Sequence, residues 1–138
     1  DVSKLRKHQA YDPAAPTLFT LEGVSQYIPA QAVESTVATA AAMSGNKSRI
    51  LISYVPQDLY DAPEARSLLF LARYIAQEPW ITGWHKQEFT SLMKAHGFRV
   101  KRDVSLPELH EDFFVPAGRS LPKKQQVILE RYVTAIKE

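Results

Sequence analysis

The run from Pro16 to Pro29, PTLFTLEGVSQYIP, constrains this chain more than any other stretch. Thr17 to Leu21 is apolar or β-branched, preceded by proline and closed by Glu22-Gly23. Such a short continuous run predicts a strand buried on both faces. Val24 to Ile28 predicts a turn that delivers the chain into a helix starting near Pro29. In open α/β sheets, ligands bind at the C-terminal ends of the parallel strands. Glu22, an acid at such an end, is therefore the first candidate for chemistry.

A second continuous apolar strand is predicted at Ser48 to Val55, SRILISYV. Between the two lies an alanine-rich segment, Ala30 to Ser44, with Val33, Val37, Ala40 and Ala41 at helical spacing and Gly45 as its expected cap. Two apolar strands joined by a helix predict parallel pairing, with helices on both faces. Asp61 and Glu64 have capping-box spacing, with Pro63 in the first turn, and predict a helix from Pro63 to Gln77. Trp80 to His85 reads as an aromatic loop. Phe89, Leu92 and Met93 predict a helix over Lys86 to His96, capped by Gly97. Phe98 to Val104 alternates, with Phe98, Val100 and Val104 on one face and Arg99, Lys101 and Asp103 on the other. Leu106 to Pro122 reads as a long loop, and Gln125 to Ile136 as a final strand. The last two strands have no helix between them and are expected to pair antiparallel at one side of the sheet. The order is β-α-β-α-α-β-β, an α/β fold.

Composition narrows the class. The 138 residues suffice for one domain with a core but not for two. A net charge of +2 does not by itself call for nucleic acid, and Arg119, Lys123 and Lys124 read as a solvated basic face. The absence of cysteine excludes disulfides, thiolate metal sites and a cysteine nucleophile. His8, His85, His96 and His110 have no metal-binding spacing and read as surface residues, so no metal is expected. The serines lack the nucleophile elbow of an α/β-hydrolase. No apolar run approaches the ~20 residues of a membrane span, and no signal peptide opens the chain. A cytoplasmic protein is the expectation.

The pattern Pro16, Thr17, Leu18, Glu22, Gly23, Tyr27, Ile28 and Pro29, followed by a helix and SRILISYV, resembles the leucine carboxyl methyltransferase-like family. These are class I S-adenosylmethionine-dependent O-methyltransferases with a Rossmann-like sheet. The two apolar strands resemble that family's fourth and fifth. HKQEFTSLMKAHGFRV resembles the approach to its sixth strand, and LERYVTA resembles its seventh. Asp1-Val2 resembles the acidic pair that comes after the third strand and lies beside the adenine. The resemblance therefore implies a single partial domain over residues 1–138, the C-terminal half of a methyltransferase domain. The family's glycine-rich loop and second acidic residue would precede Asp1. The glycines at 23, 45, 83, 97 and 118 form no G-x-G here.

By this resemblance Glu22, Asp1 and Val2 bind the cofactor S-adenosylmethionine, and Tyr27 is the catalytic residue at the methyl acceptor. A carboxylate beside a sulfonium also makes electrostatic sense. Each has a structural alternative: Glu22 as a strand-end acid at a helix N-terminus, Tyr27 as a core-edge tyrosine, and Asp1-Val2 as a frayed terminus. Trp80, Trp84, Phe113 and Phe114 are candidates for lining an acceptor pocket. The implied reaction is methyl transfer to a carboxylate or hydroxyl of a small molecule or a protein C-terminus, by the full-length protein rather than by these residues alone. The rival is a non-catalytic α/β interaction module. In either case the Thr17–Leu21 edge is expected to pair with the missing N-terminal half or with a second copy.

Overall fold

The computed structural model describes residues 2–122 and 129–138. Four strands form one sheet: β1 (Leu18–Leu21), β2 (Arg49–Tyr54), β3 (Phe98–Ser105) and β4 (Arg131–Lys137), in the order β1-β2-β4-β3. β1 and β2 are parallel, and β4 pairs antiparallel with both β2 and β3. The mixed α/β architecture and the antiparallel final pair match the expectation. The last strand, however, inserts between β2 and β3, leaving β1 and β3 at the two edges. Of the strand expected from Gln125, residues 125–128 lie outside the described residues, as do Lys123 and Lys124 of the basic face. Leu129 and Glu130 precede β4.

The core lies on one face of the sheet. Ile50, Ile52 and Tyr54 of β2, Val133 and Ala135 of β4 and Phe98 of β3 are buried there, under α1 (Ala30–Ala42) and α4 (Lys86–Ala95). α1 contributes Val33, Val37 and Ala40, and α4 contributes Phe89 and Met93, at the i, i+4 and i, i+7 spacings that place side chains on one side of a helix. Trp84 packs edge-on to Phe89 at 5.5 Å, and Phe89 stacks on Tyr54 at 4.4 Å. On the other face, among the described residues, Leu109 and Phe113 border a groove with Leu51 and Tyr132, and β1 is not buried on both faces: Leu18 is 66% exposed. The apolar run suits a two-sided strand, but among the described residues no second layer meets it.

Several local features depart from the sequence reading. Asp61 does not cap the helix it precedes, because it closes a separate short helix, α2 (Gln57–Asp61). Beyond α2 the chain forms a 3₁₀ turn (Pro63–Ala65), α3 (Arg66–Phe70) and a π-helical turn (Leu71–Ile75). The expected 106–122 loop begins as α5 (Leu106–Leu109) and a π-helical turn (His110–Phe114). Glu108 accepts hydrogen bonds from the Ser105 backbone N–H (2.8 Å) and hydroxyl (2.7 Å), and these hold its carboxyl below the ordinary range. His110 at the end of this segment is buried, not on the surface.

A further departure is a β-bulge between Val100 and Arg102. The extra residue reverses which side chains face the core. Val104 turns to the open face, while Asp103 and Ser105 turn inward. Asp103, 4% exposed at its side chain, meets the Arg131 Nε at 2.6 Å and accepts from the Tyr54 hydroxyl at 2.9 Å.

α1 ends at Ala42, so Gly45 is not its cap but a point of close approach. A Cβ on Gly45 would lie 2.1 Å from the backbone oxygen of Ala14. Backbone cannot yield as a flexible side chain can, so Gly45→Ala is expected to cost about 1–3 kcal/mol in urea denaturation. An unchanged midpoint would contradict this close contact.

Two phenols, Tyr54 buried and Tyr60 half-buried, set the alkaline limit. Burial pushes Tyr60 up to about 12; burial, then the Asp103 charge, raises Tyr54 further. A phenol raised in the folded state contributes stability that is complete below its ordinary value of 10.0 and is lost as pH rises through the folded value. Ultraviolet titration should show these two among the last of the six tyrosines to ionise, together with unfolding. Ionisation of all six near the ordinary value in a folded chain would refute it.

Candidate functional site

Glu22 lies just past the C-terminal end of β1, and its side chain is exposed. Among the described residues its carboxylate has no hydrogen-bond or ion-pair partner. The turn beyond it hangs on Ser53 of β2. The Gly23 N–H donates to the Ser53 hydroxyl oxygen at 2.8 Å, and the Ser25 hydroxyl donates to the Ser53 carbonyl at 2.7 Å. Gly23 takes φ 66°, a left-handed conformation natural to glycine, which lets the chain reverse directly after the carboxylate. A 3₁₀ turn, Ser25–Tyr27, then leads into α1 through Pro29.

The Trp80 to His85 loop is laid against this turn. The N–H groups of Ile81 (2.7 Å) and Thr82 (3.3 Å) donate to the Gln26 carbonyl, and the Thr82 hydroxyl donates to Ile28 O at 2.7 Å. The Tyr60 hydroxyl donates to Thr82 O at 2.9 Å. Between turn, loop and the start of β4 opens a cleft of about 370 Å³, lined by Gly23, Gln26, Tyr27, Trp80, Leu106, Leu129, Glu130 and Tyr132. Tyr132 also borders a groove of about 320 Å³ on the open face of the sheet, where Glu22 lies with Leu51, Arg102 and Phe113. Burial, then the Glu130 and Glu22 carboxylates, raises the Tyr132 phenol above its ordinary value. Glu22 and the cleft thus meet at Tyr132.

The structure brings Glu22 and Tyr27 to the two ends of one turn, with Tyr27 on the cleft rim at 37% exposure. Asp1 lies outside the described residues. Val2 opens a 3₁₀ turn, Val2–Lys7, whose Arg6 donates to Ala42 O at the C-terminal end of α1. The four aromatic candidates do not converge. Trp80 joins the cleft, but Trp84 packs on Phe89, Phe113 borders the open-face groove, and Phe114 stacks on the His110 ring at 6.0 Å. The four aromatic side chains serve four separate places.

Sequence reading missed Gln26 and Glu130, which the fold joins by a hydrogen bond from Gln26 Nε2 to Glu130 Oε1 at 3.2 Å. They are separated by 104 positions, so no local spacing signals them. A larger cleft, about 450 Å³, lies between α2 and α4 and is lined by Tyr54, Asp58, Trp84, His85 and Arg131, among others. Arg131 is engaged there by Asp103, and His85 stands 3.6 Å from Asp58 at the mouth. Size alone does not make it the better candidate, since Arg131, its largely buried charge, is already answered by Asp103. Among the described residues no three acidic or histidine side chains are grouped to hold a metal ion, and no helix is long and apolar enough to cross a membrane.

No protein-family model matches the sequence, and no curated protein sequence matches it. Solved structures do. A DUF574 family protein from Streptomyces avermitilis aligns over 99% of this chain and 51% of its own, with a TM-score of 0.68 at 15% identity. An O-methyltransferase family 2 protein from Planctomyces limnophilus, in complex with apigenin, aligns over 92% of this chain and 33% of its own, at TM-score 0.57 and 15% identity. A Burkholderia thailandensis 1,6-didemethyltoxoflavin-N1-methyltransferase, with bound 1,6-didemethyltoxoflavin and S-adenosylhomocysteine, covers 91% of this chain. That alignment spans 45% of the enzyme, with TM-score 0.55 and 14% identity. The chain spans a third to a half of the length of these structures. At such identities the likeness is one of fold: this mixed α/β unit has an architecture found within methyltransferases.

Proposed function

We propose that residues 1–138 are part of an S-adenosylmethionine-dependent O-methyltransferase resembling the leucine carboxyl methyltransferase-like family, and that the turn after β1 meets cofactor and acceptor. The observation that carries this reading is the Glu22 carboxylate, exposed at the end of a parallel strand and unpartnered among the described residues. A free carboxylate there fits a sulfonium. When bound, the cofactor supplies an electrophilic methyl group and a neutral thioether leaving group. Glu22 would hold the positive charge at the strand end, Tyr27 would hydrogen-bond the acceptor at the rim, and the cleft would exclude water. Displacement in line needs little beyond this positioning. Asp1 and Val2 are assigned to the adenine by resemblance. The test is thermal denaturation of the intact protein with and without S-adenosylmethionine. A saturable rise in Tm is expected, because a ligand bound only by the folded state stabilises it. No shift at any concentration would defeat the reading.

Residues 1–138 alone are proposed to be inactive and to require a partner along β1, either the N-terminal half of the domain or a second copy. One β1 edge is unpaired among the described residues, and Phe70, Leu71, Tyr74 and Ile75 form an apolar helix surface, each at least 52% exposed. This surface equally suits the non-catalytic reading, an interaction module. Sedimentation of residues 1–138 should show association, and a cooperatively folded monomer at high concentration would count against it.

A further inference from the structure

We propose that the Gln26–Glu130 cleft binds an aromatic small molecule through a hydroxyl or amine that donates a hydrogen bond, and that it rejects a carboxylate. The proposal rests on the methyltransferase reading only in calling this molecule the methyl acceptor.

Gln26 is 3% exposed. Its backbone is pinned by the Ile81 and Thr82 N–H groups, and its side-chain NH₂ donates to Glu130. That bond also fixes the amide's orientation, since the reverse would set its oxygen against a carboxylate. The oxygen, Oε1, is buried and has no partner among the described residues. A buried acceptor without a donor is costly, and because Gln26 lines the cleft, a ligand donor that displaced its close neighbours would meet that oxygen.

Charge points the same way. Among the described residues Glu130 is the only charged one lining the cleft, and Glu22 lies beyond Tyr132. No cationic side chain stands among these lining residues. The adjacent Arg131 belongs to the other face, where Asp103 engages it. An ionised carboxylate would enter beside Glu130 with no cation among the described lining residues to pair with. A hydroxyl would instead donate to one of the two acceptors, Glu130 or the Gln26 oxygen, and an ammonium to both. The walls, Tyr27, Trp80 and Tyr132, offer ring faces to a flat ligand and favour a cation where one is present.

Three matched probes test this on the intact protein without cofactor: 2-naphthol, 2-naphthylmethylamine and 2-naphthoate. The Trp80 indole and Gln26 side-chain amide resonances are followed by NMR. The naphthol or the amine should saturate these signals at least tenfold more tightly than the naphthoate, and whichever is tighter names the donor. Gln26→Leu should erase most of that preference. Glu130→Gln, which keeps the shape and removes the charge, should bring naphthoate binding close to that of naphthol. Naphthoate binding as tightly as the donors to the unmodified protein, or no response to any probe, would overturn the proposal. Because no cofactor is present, failure to bind S-adenosylmethionine leaves this result standing, and the reverse also holds.

Discussion

Asp103→Ala is expected to cost about 3–5 kcal/mol of folding stability, the largest effect of any single substitution proposed for this chain. The mechanism is the charge left behind rather than the bond lost. Arg131 is 16% exposed at its side chain, and it donates through Nε to the Asp103 carboxylate and through Nη2 to the Asp103 carbonyl at 2.7 Å. Burial disfavours the guanidinium, but the Asp103 hydrogen bond and charge outweigh burial, so Arg131 holds its proton more tightly than usual. Without the carboxylate, burial still opposes the charge, and Glu108 at 3.7 Å, itself half exposed, answers it poorly. Tyr54→Phe is the control. It removes one hydrogen bond to the same carboxylate and should cost only about 1.5–3 kcal/mol. Urea denaturation separates the two. A loss below about 1 kcal/mol for Asp103→Ala would show that solvent reaches the pair, with the energetics of a surface salt bridge.

Glu22→Gln is expected to weaken S-adenosylmethionine binding by about tenfold while leaving S-adenosylhomocysteine binding nearly unchanged. The two ligands differ in one methyl group and its positive charge, so their comparison isolates the carboxylate's electrostatic contribution. Opposite charges about 4 Å apart attract by about 1 kcal/mol in bulk water and about 4 kcal/mol near a protein surface. Glu22 is exposed, so a value near the lower end, about 1.4 kcal/mol or one decade, is appropriate. Calorimetry on both ligands measures it. Equal weakening of both would assign Glu22 to shaping the turn rather than facing the sulfonium. No effect on either would remove it from the site.

The run around Glu22 was legible because local rules govern it. Proline and glycine punctuate the strand and turn, and the apolar run sets the parallel pair with β2. α1 begins at Ala30, directly after Pro29, and α4 ends before Gly97, as their boundary residues predict. The bulge at 100–102 was not legible, because no glycine marks it. Its consequence, burial of Asp103 in place of Val104, inverted the expected faces of β3 beyond the bulge. The α5 start did carry a signal, Ser105 with Glu108 three residues on, but the surrounding prolines read as loop. Pro107 in fact occupies the first helical turn, where its missing N–H costs nothing. Burial of β1 was overestimated because a continuous apolar run records a chemical tendency, while exposure depends on whether another layer is present. The Gln26–Glu130 pair belongs to neither kind, since only tertiary folding joins it.

Amide NMR mapping of the intact protein with S-adenosylmethionine tests whether the turn after β1 is where the cofactor meets this chain. Saturable shifts centred on Glu22, Gly23 and Val24 and extending to Tyr132 are expected. Shifts confined to the Asp58–His85 cleft, or no shifts at saturating ligand, would contradict that placement.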